Sequence, residues 1–323
     1  MNPLVSFCLK SYNGRPYLRE ALDGAFAQTY RPLEIVISDD ASTDGSWEVI
    51  QEEVAKRGKT EGVTVVVNRN ERNLGSVGNW DRLCELASGE LIVKADGDDV
   101  SLPDRTERIV AAWLSDGGKA TVICHSGWLI GLRGQRKGRL RLVTPGWPLG
   151  AAMAFSRRTF DVFGYSLDSA AVDDEVYVRR ALMLGKPIVM PDRLVRYRIG
   201  HGQTSDEWHV RRVFVQTTRG MLAVIREMQG ELERVGERLG EETCQIWRKR
   251  LLDEKAYYSN KQRLLEGETF RERLSGFRKV SGSRLLGVSN VIRSAFLLPR
   301  PIGDVALFGY AVCRNVLRRT GVL

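Results

Sequence analysis

Within its first hundred residues the chain alternates short apolar runs with stretches of helical periodicity. That alternation narrows the architecture more than any other feature, because parallel strands must be joined by crossovers, usually helices. Strands are predicted over residues 4–9, 33–38, 63–67 and 90–94, and helices over 16–28, 46–57 and 80–87. Ser42, Thr43 and Asp44 supply capping chemistry ahead of the second helix. Further on, 103–116 reads as helix, 120–130 as strand and the Gly/Arg-rich 131–141 as a hairpin tip. Asp173-Asp174-Glu175 opens a helix to about residue 184 with Gly185 as its C-cap. From Trp208 onward the pattern is helical, with Pro299 and Pro301 as the only strong breakers. The expectation is an α/β domain over 1–205 built on a doubly wound sheet, followed by a helical region over 206–323.

Composition matters here for where the charge lies. The net charge is +9, yet the last 53 residues alone hold ten Lys+Arg against two Asp+Glu, while the rest of the chain is nearly balanced. One end of the molecule is thereby expected to meet an anionic surface. Five widely separated cysteines, with no CxxC pair, suggest neither a disulfide framework nor a zinc knuckle and fit a reducing cytoplasm. No basic n-region precedes the first strand, and no run of 18 apolar residues occurs, so neither a secretory signal nor a transmembrane helix is expected.

In open parallel sheets ligands bind beyond the carboxyl ends of the strands. The loop after the first strand holds Ser11-Tyr12-Asn13-Gly14, that after the second Asp39-Asp40-Ala41-Ser42-Thr43-Asp44, and that after the fourth Asp96-Gly97-Asp98-Asp99. Three carboxylates within four residues repel one another, which a hard divalent cation offsets; Mg²⁺ and Mn²⁺ complete such a shell with waters and substrate phosphates. An acidic turn capping the helix after Pro103 is the competing account. Asp39 and Asp40 suit contact with a ribose or base, while helix capping accounts better for Ser42 and Asp44. Asn73-Leu74-Gly75-Ser76-Val77-Gly78 lacks the GxGxxG spacing of a dinucleotide site, and no GxxxxGK[ST] phosphate loop is present.

Taken in order, Ser11-Tyr12-Asn13, residues 36–46, Asn73-Leu74-Gly75, Gly89-Glu90-Leu91-Ile92 and residues 96–105 closely resemble the family 2 glycosyltransferases. The resemblance covers roughly residues 3–205 and implies a GT-A fold with a Rossmann-like mixed sheet. It further implies inverting transfer of a sugar from a nucleotide-diphosphate sugar to an acceptor hydroxyl. By position, Tyr12 and Asp39 fall where the family holds the base, with Ser11, Asn13, Asp40 and Asn73 beside them. Asp96 and Asp98 match the DxD pair for ribose and metal-bound diphosphate, with Asp99 close enough to ligate Mn²⁺ or Mg²⁺ as well; His201, in a late loop that can close over the diphosphate, reads either as a further metal ligand or as a lone surface histidine. Lys10 stands where many members have proline. The catalytic base matches Asp173, with Val172 where a Glu usually precedes it, which leaves Asp174 as an alternative; apart from the resemblance, an acidic first turn complementing the helix dipole also accounts for these acids. Small residues at 150–155 resemble the acceptor-lining strand, or else serve packing alone.

Two readings stand for the tail. Residues 284–298 and 302–316 form apolar stripes with basic flanks that suit a membrane interface, or else pack as a lid or against a subunit. The resemblance suggests surface polysaccharide assembly on saccharide or lipid-linked saccharide acceptors at the inner face of the cytoplasmic membrane, with oligomeric state left open. Rivals are a sugar nucleotidyltransferase, for which Ser11-Tyr12-Asn13-Gly14-Arg15 is a poor phosphate loop, and a non-catalytic saccharide-binding protein. Nucleic acid is not an expected partner, since the basic tail shows little aromatic interleaving. Arg133, Arg136, Lys137, Arg139 and Arg141 read as a solvated basic turn, or as a phosphorylated acceptor's contact.

Overall fold

The computed structural model describes residues 2–57, 59–140, 150–165, 173–200, 211–266 and Glu272. The chain forms two compact units, Met1–Asp206 with Glu233–Thr243, and Glu207–Leu232 with Cys244–Leu323. The first holds a sheet of nine strands: β1 (Val5–Ser11), β2 (Leu33–Asp39), β3 (Val63–Arg69), β4 (Leu91–Asp96), β5 (Val100–Ser101), β6 (Val122–Ile130), β7 (Arg136–Leu140), β8 (Met153–Ser156) and β9 (Ile188–Arg198). Their spatial order is β3-β2-β1-β4-β8-β6-β9-β5, with β7 paired to β6. The first four strands are mutually parallel, as the alternation predicts. Beyond β4 the sheet turns mixed: β8 runs antiparallel to both β4 and β6, while β9 is parallel to β6. This is the mixed GT-A arrangement.

Helices α1 (Arg15–Phe26), α2 (Ser46–Arg57), α3 (Gly75–Leu86), α4 (Arg105–Ser115), α5 (Arg158–Phe163) and α6 (Asp173–Leu184) cover the sheet. Alternate strand residues feed two cores. Phe7, Leu9, Ile35, Ile37, Leu91 and Val93 pack with Leu18 and Leu22 of α1, Ile50 of α2 and Ile109 of α4. Cys8, Val36 and Ile92, one residue out of phase, pack with Trp80 of α3, Phe160 of α5 and Tyr177 of α6. Burial on both faces explains why these strands read as continuous apolar runs.

Three departures from the sequence reading have local causes. Helix α3 starts at Gly75 and not at Trp80, because the carboxylate of Asp40, 34 residues upstream, accepts the Leu74 and Gly75 N–H groups at 2.8 and 2.9 Å. Leu74 itself has no polar side chain to cap the helix, and the adjacent Asn73 shares only the Gly75 N–H, at 2.7 Å. The basic hairpin is not all tip: residues 136–140 form β7 and pair with Gly127–Ile130 of β6. The C-terminal helical stretch also breaks at Gly240 (φ +82°), whose left-handed backbone separates α7 (Arg211–Leu239) from α8 (Glu241–Glu266).

In the second unit, Met221, Val224, Ile225, Met228 and Leu232 form a buried stripe at helical spacing on α7. Cys244, Trp247, Leu251, Tyr258, Leu264 and Leu265 are the buried apolar residues of α8. No described helix is long and apolar enough to cross a membrane. The tail stripes at 284–298 and 302–316 lie outside the described residues.

Candidate functional site

Strand register builds the site. Ser11, the last residue of β1, lies opposite Asp39, the last of β2, while Lys10 lies opposite Asp96, the last of β4. Parallel strands aligned this way bring all three following loops to one end of the sheet. Backbone hydrogen bonds continue the alignment past the strands, from Asp40 N–H to the Ser11 carbonyl at 2.9 Å and from Gly97 N–H to the Lys10 carbonyl at 2.8 Å. Gly97 allows the acidic turn to press on β1, since a Cβ there would stand 3.0 Å from the Lys10 carbonyl oxygen.

The first two loops are stitched together by side chains. Asn13, in a left-handed conformation (φ +46°), donates its N–H to Ser42 Oγ at 2.9 Å and accepts the Thr43 N–H on Oδ1 at 2.9 Å. Asp44 accepts from Ser46 N–H at 3.0 Å, as a cap should, and also from Arg15 N–H at 2.9 Å. Ser42 does not cap: its hydroxyl serves Asn13. Tyr12, on the same β1 loop, is 47% exposed.

Asp39 and Asp40 are both buried but differ in what they do. Asp40 gives its carboxylate to Asn70 Nδ2, Leu74 N–H and Gly75 N–H, so it shapes the 70–75 loop. Asp39 accepts the Ser42 N–H on Oδ2 at 3.0 Å, and its Oδ1, though buried, meets no donor. Ser11 Oγ is likewise buried with no hydrogen-bond partner. Buried polar atoms without partners cost about 1–3 kcal/mol each and call for a reason. Asn73 accepts the Gly75 N–H on Oδ1 at 2.7 Å. Asn79 of α3, which sequence reasoning passed over, ties the strand ends together by accepting from Ser38 Oγ at 2.6 Å and donating to the Ser11 carbonyl at 3.3 Å.

The acidic turn does not cap α4, whose N-cap position is Asp104. Its charge is met from three other directions. Lys10 Nζ lies 3.2 Å from Asp96 Oδ1 and donates to Ser76 Oγ at 2.7 Å. Arg198, at the end of β9, donates its N–H to Asp99 Oδ1 and its Nε–H to the Asp98 carbonyl, at 2.8 and 2.9 Å. The same guanidinium reaches the carbonyls of Gly131 and Leu132 and the carboxylate of Glu20. Arg105 lies buried beneath, donating to Ser101 Oγ, the Lys94 carbonyl and His125 Nε2 at 2.8, 2.7 and 3.0 Å. Because His125 Nε2 accepts, its proton sits on Nδ1, which donates to the Ser126 carbonyl at 2.7 Å. Burial, then the Arg105 charge, brings His125 down to about 3, and burial brings Arg105 down to about 10. The sequence offered one clue to these cations, the need to balance three aspartates; Arg105 closes the family-like stretch 96–105, but nothing singled out Arg198 or the neutral His125.

Asp99 remains under strain of charge. Burial first, then the neighbouring Asp98 and Asp96, push its carboxyl well above the usual carboxylate range, against the pull of the Arg198 N–H and Arg105. Its Oδ2 is buried with no hydrogen-bond partner. That donor set fits a hard divalent cation, which takes oxygen ligands and offsets carboxylate repulsion. Among the described residues no three His, Cys, Asp or Glu side chains converge as a ready metal cage. Mg²⁺ and Mn²⁺ need only one or two carboxylates when phosphates and waters supply the rest. Asp173 opens α6; the side chains of Asp173 and Asp174, and all of His201, lie outside the described residues.

Comparison with known proteins agrees with this geometry. EpsE of Bacillus subtilis, a putative glycosyltransferase, is 31% identical over 109 residues, 34% of this chain and 38% of that protein. WfaP of Escherichia coli, a UDP-Glc:α-D-GlcNAc-diphosphoundecaprenol β-1,3-glucosyltransferase, is 30% identical over 96 residues, 30% of this chain and 36% of that protein. The chain thus matches little more than a third of the length of either relative. A mannosyltransferase from Pyrobaculum calidifontis, PcManGT, solved with GDP-Man and Mn²⁺, superposes with a TM-score of 0.58 at 17% identity, covering 98% of this chain and 87% of that one. The profile of Glycosyl transferase family 2 matches residues 6–175, more than half of the chain, and the chain belongs to that family.

Proposed function

We propose that the chain is an inverting glycosyltransferase that moves a sugar from a nucleotide-diphosphate donor to an acceptor hydroxyl, with its chemistry carried by residues 1–205. The observation that carries this reading is the meeting of Ser11, Asp39 and Asp96 at neighbouring strand ends, where Ser11 Oγ and Asp39 Oδ1 are buried without partners. Polar atoms left so in an otherwise satisfied network suit a ligand with matching donors and acceptors. In this reading Asp39 and the exposed Tyr12 hold the base. Asp40 and Asn73 set the adjoining loop, and Ser11, Asn13 and Asp96 bind the nucleotide sugar. Asp98 and Asp99, with His201, hold Mn²⁺ or Mg²⁺. A bound divalent ion supplies charge stabilisation to the departing diphosphate. Arg198 keeps the acidic turn in place from below.

Asp173 or Asp174 serves as the general base, taking the proton of the acceptor hydroxyl as it attacks opposite the leaving group. The structural neighbour PcManGT, solved with GDP-Man and Mn²⁺, supports the donor class and the metal, and WfaP, named for a GlcNAc-diphosphoundecaprenol acceptor, supports a lipid-linked saccharide acceptor. The test is a thermal-shift screen of UDP- and GDP-sugars with and without Mn²⁺. A donor that raises Tm in a metal-dependent way supports the reading, since a ligand of the folded state alone stabilises it. If no nucleotide sugar shifts Tm with or without metal, or if chelator leaves transfer untouched, the corresponding part fails.

A further inference from the structure

The far half of the sheet carries a surface the transferase chemistry does not use. On β6, Trp128 lies opposite Arg139 of β7 on one side and Arg196 of β9 on the other. Directly paired residues face the same side of a sheet. The guanidinium of Arg136 lies 3.6 Å from the centre of the Trp128 ring and that of Arg193 4.8 Å from it. Arg193 Nε is buried without a hydrogen-bond partner. Arg133 at the tip of the β6–β7 hairpin and Lys137 near the start of β7 are exposed, and Leu132 of the tip is 46% exposed. None of these six cations forms an ion pair among the described residues, and Asp192, the carboxylate next to Arg193, is held by Arg108.

Five cations on adjoining strands and a sixth at the hairpin tip, with no ion pair among the described residues, repel one another and persist as a cluster only at a cost, unless an anionic partner covers them. The aromatic ring at the centre is already occupied by two guanidinium groups, so it is not offered to a base or a sugar ring. What remains outward is a broad layer of charge with one apolar side chain at its tip. That combination matches the headgroup region of a bilayer, where Lys and Arg meet lipid phosphates and a short apolar side chain enters the acyl boundary. We propose that the β6–β7 hairpin, with Arg193 and Arg196 of β9, is a docking surface for an anionic phospholipid membrane. The hairpin is tied to the candidate site, since Arg198 binds both the Leu132 carbonyl and the Asp98 carbonyl. Docking there brings the acidic turn to the bilayer surface. This inference stands apart from the transferase reading, because vesicle binding is measured with no donor present.

The experiment is co-sedimentation of the full chain with phosphatidylglycerol vesicles and with phosphatidylcholine vesicles. The intact protein is expected to bind the first and not the second, and to be released as ionic strength rises from about 0.1 to 1 M. Arg133→Glu, Arg136→Glu, Lys137→Glu and Arg139→Glu together are expected to weaken partitioning by about a hundredfold or more. The milder set with Gln at the same positions should weaken it less, and guards against a charge-reversed chain that fails to fold. A tail variant, Arg314→Glu with Arg318→Glu and Arg319→Glu, separates the two basic regions. Unchanged binding of the folded hairpin variants, or complete loss in the tail variant alone, overturns the proposal. So does preferential binding of a single-stranded oligonucleotide that is lost with the same hairpin changes.

Discussion

The two halves of the one sheet differ in sign and in how their chemistry is written. In the parallel half, β3-β2-β1-β4, the functional groups sit in loops that directly follow strands, and they are carboxylates, serines and asparagines. In the mixed half, β8-β6-β9-β5, they sit within strands and are arginines. Parallel strands all present their carboxyl ends to one side, so a motif after each strand is enough to build a crevice. Antiparallel neighbours send successive loops to opposite ends, so the mixed half contributes through side chains that reach across. Arg198 is the joint: a residue of the basic half whose backbone and side chain hold the acidic turn of the other.

The largest effect is expected where the acidic half meets the donor. If Asp98 holds the cation, Asp98→Asn should lower transfer about a thousandfold while leaving the melting temperature near that of the parent, because a metal's charge stabilisation is worth several kcal/mol and each 1.4 kcal/mol is tenfold. A fall in stability of similar size would make that residue structural and blur the contrast between the halves. Next comes the joint. Arg198→Ala removes the cation buried between Glu20 and the acidic turn and should cost about 3–5 kcal/mol by chemical denaturation. A cost below about 1 kcal/mol would mean that the two halves are held together elsewhere.

Asp40→Ala deprives α3 of a cap supplied from another strand end, and about 2 kcal/mol should be lost. An unchanged stability would assign the carboxylate to the donor instead. His125 gives a pH test of the packing under the turn. Its folded value of about 3 lies below the ordinary 6.5, so the unfolded chain takes up the proton first as pH falls. Stability is therefore full above about pH 6.5 and declines by up to about 1.4 kcal/mol per pH unit towards 3. His125→Gln should flatten that decline in acid denaturation curves; an unaltered slope would show that other groups set it. The smallest effect belongs to Ser11→Ala. Losing a buried hydroxyl without a partner should change stability by less than about 0.5 kcal/mol, yet raise the donor KM several-fold if that hydroxyl meets the ligand.

Much of the parallel half was legible because its signals are local. The turn of strand into loop at Ser11, Asp39 and Asp96 follows from apolar runs ending in polar clusters. Helix α2 was readable to the residue because Asp44 caps it from two positions away. Helix α3 was not, since its cap comes from Asp40, and the break at Gly240 was missed because one glycine inside a helical pattern is a weak signal until its φ is known. Asp39 and Asp40 look alike in sequence, but only their surroundings separate a carboxylate with every oxygen engaged from one with an oxygen to spare.

By itself, then, the order of residues determined the alternating strands and helices, the three polar loops and the uneven charge, because each depends on neighbours within a few positions. Only the tertiary structure decided that Lys10, Arg105 and Arg198, from three separate elements, balance the acidic turn, and that Trp128 gathers arginines from two strands. The contacts of Lys10, Arg198 and Arg193 join residues tens of positions apart, and strand order and register, which no short stretch encodes, are what bring them together.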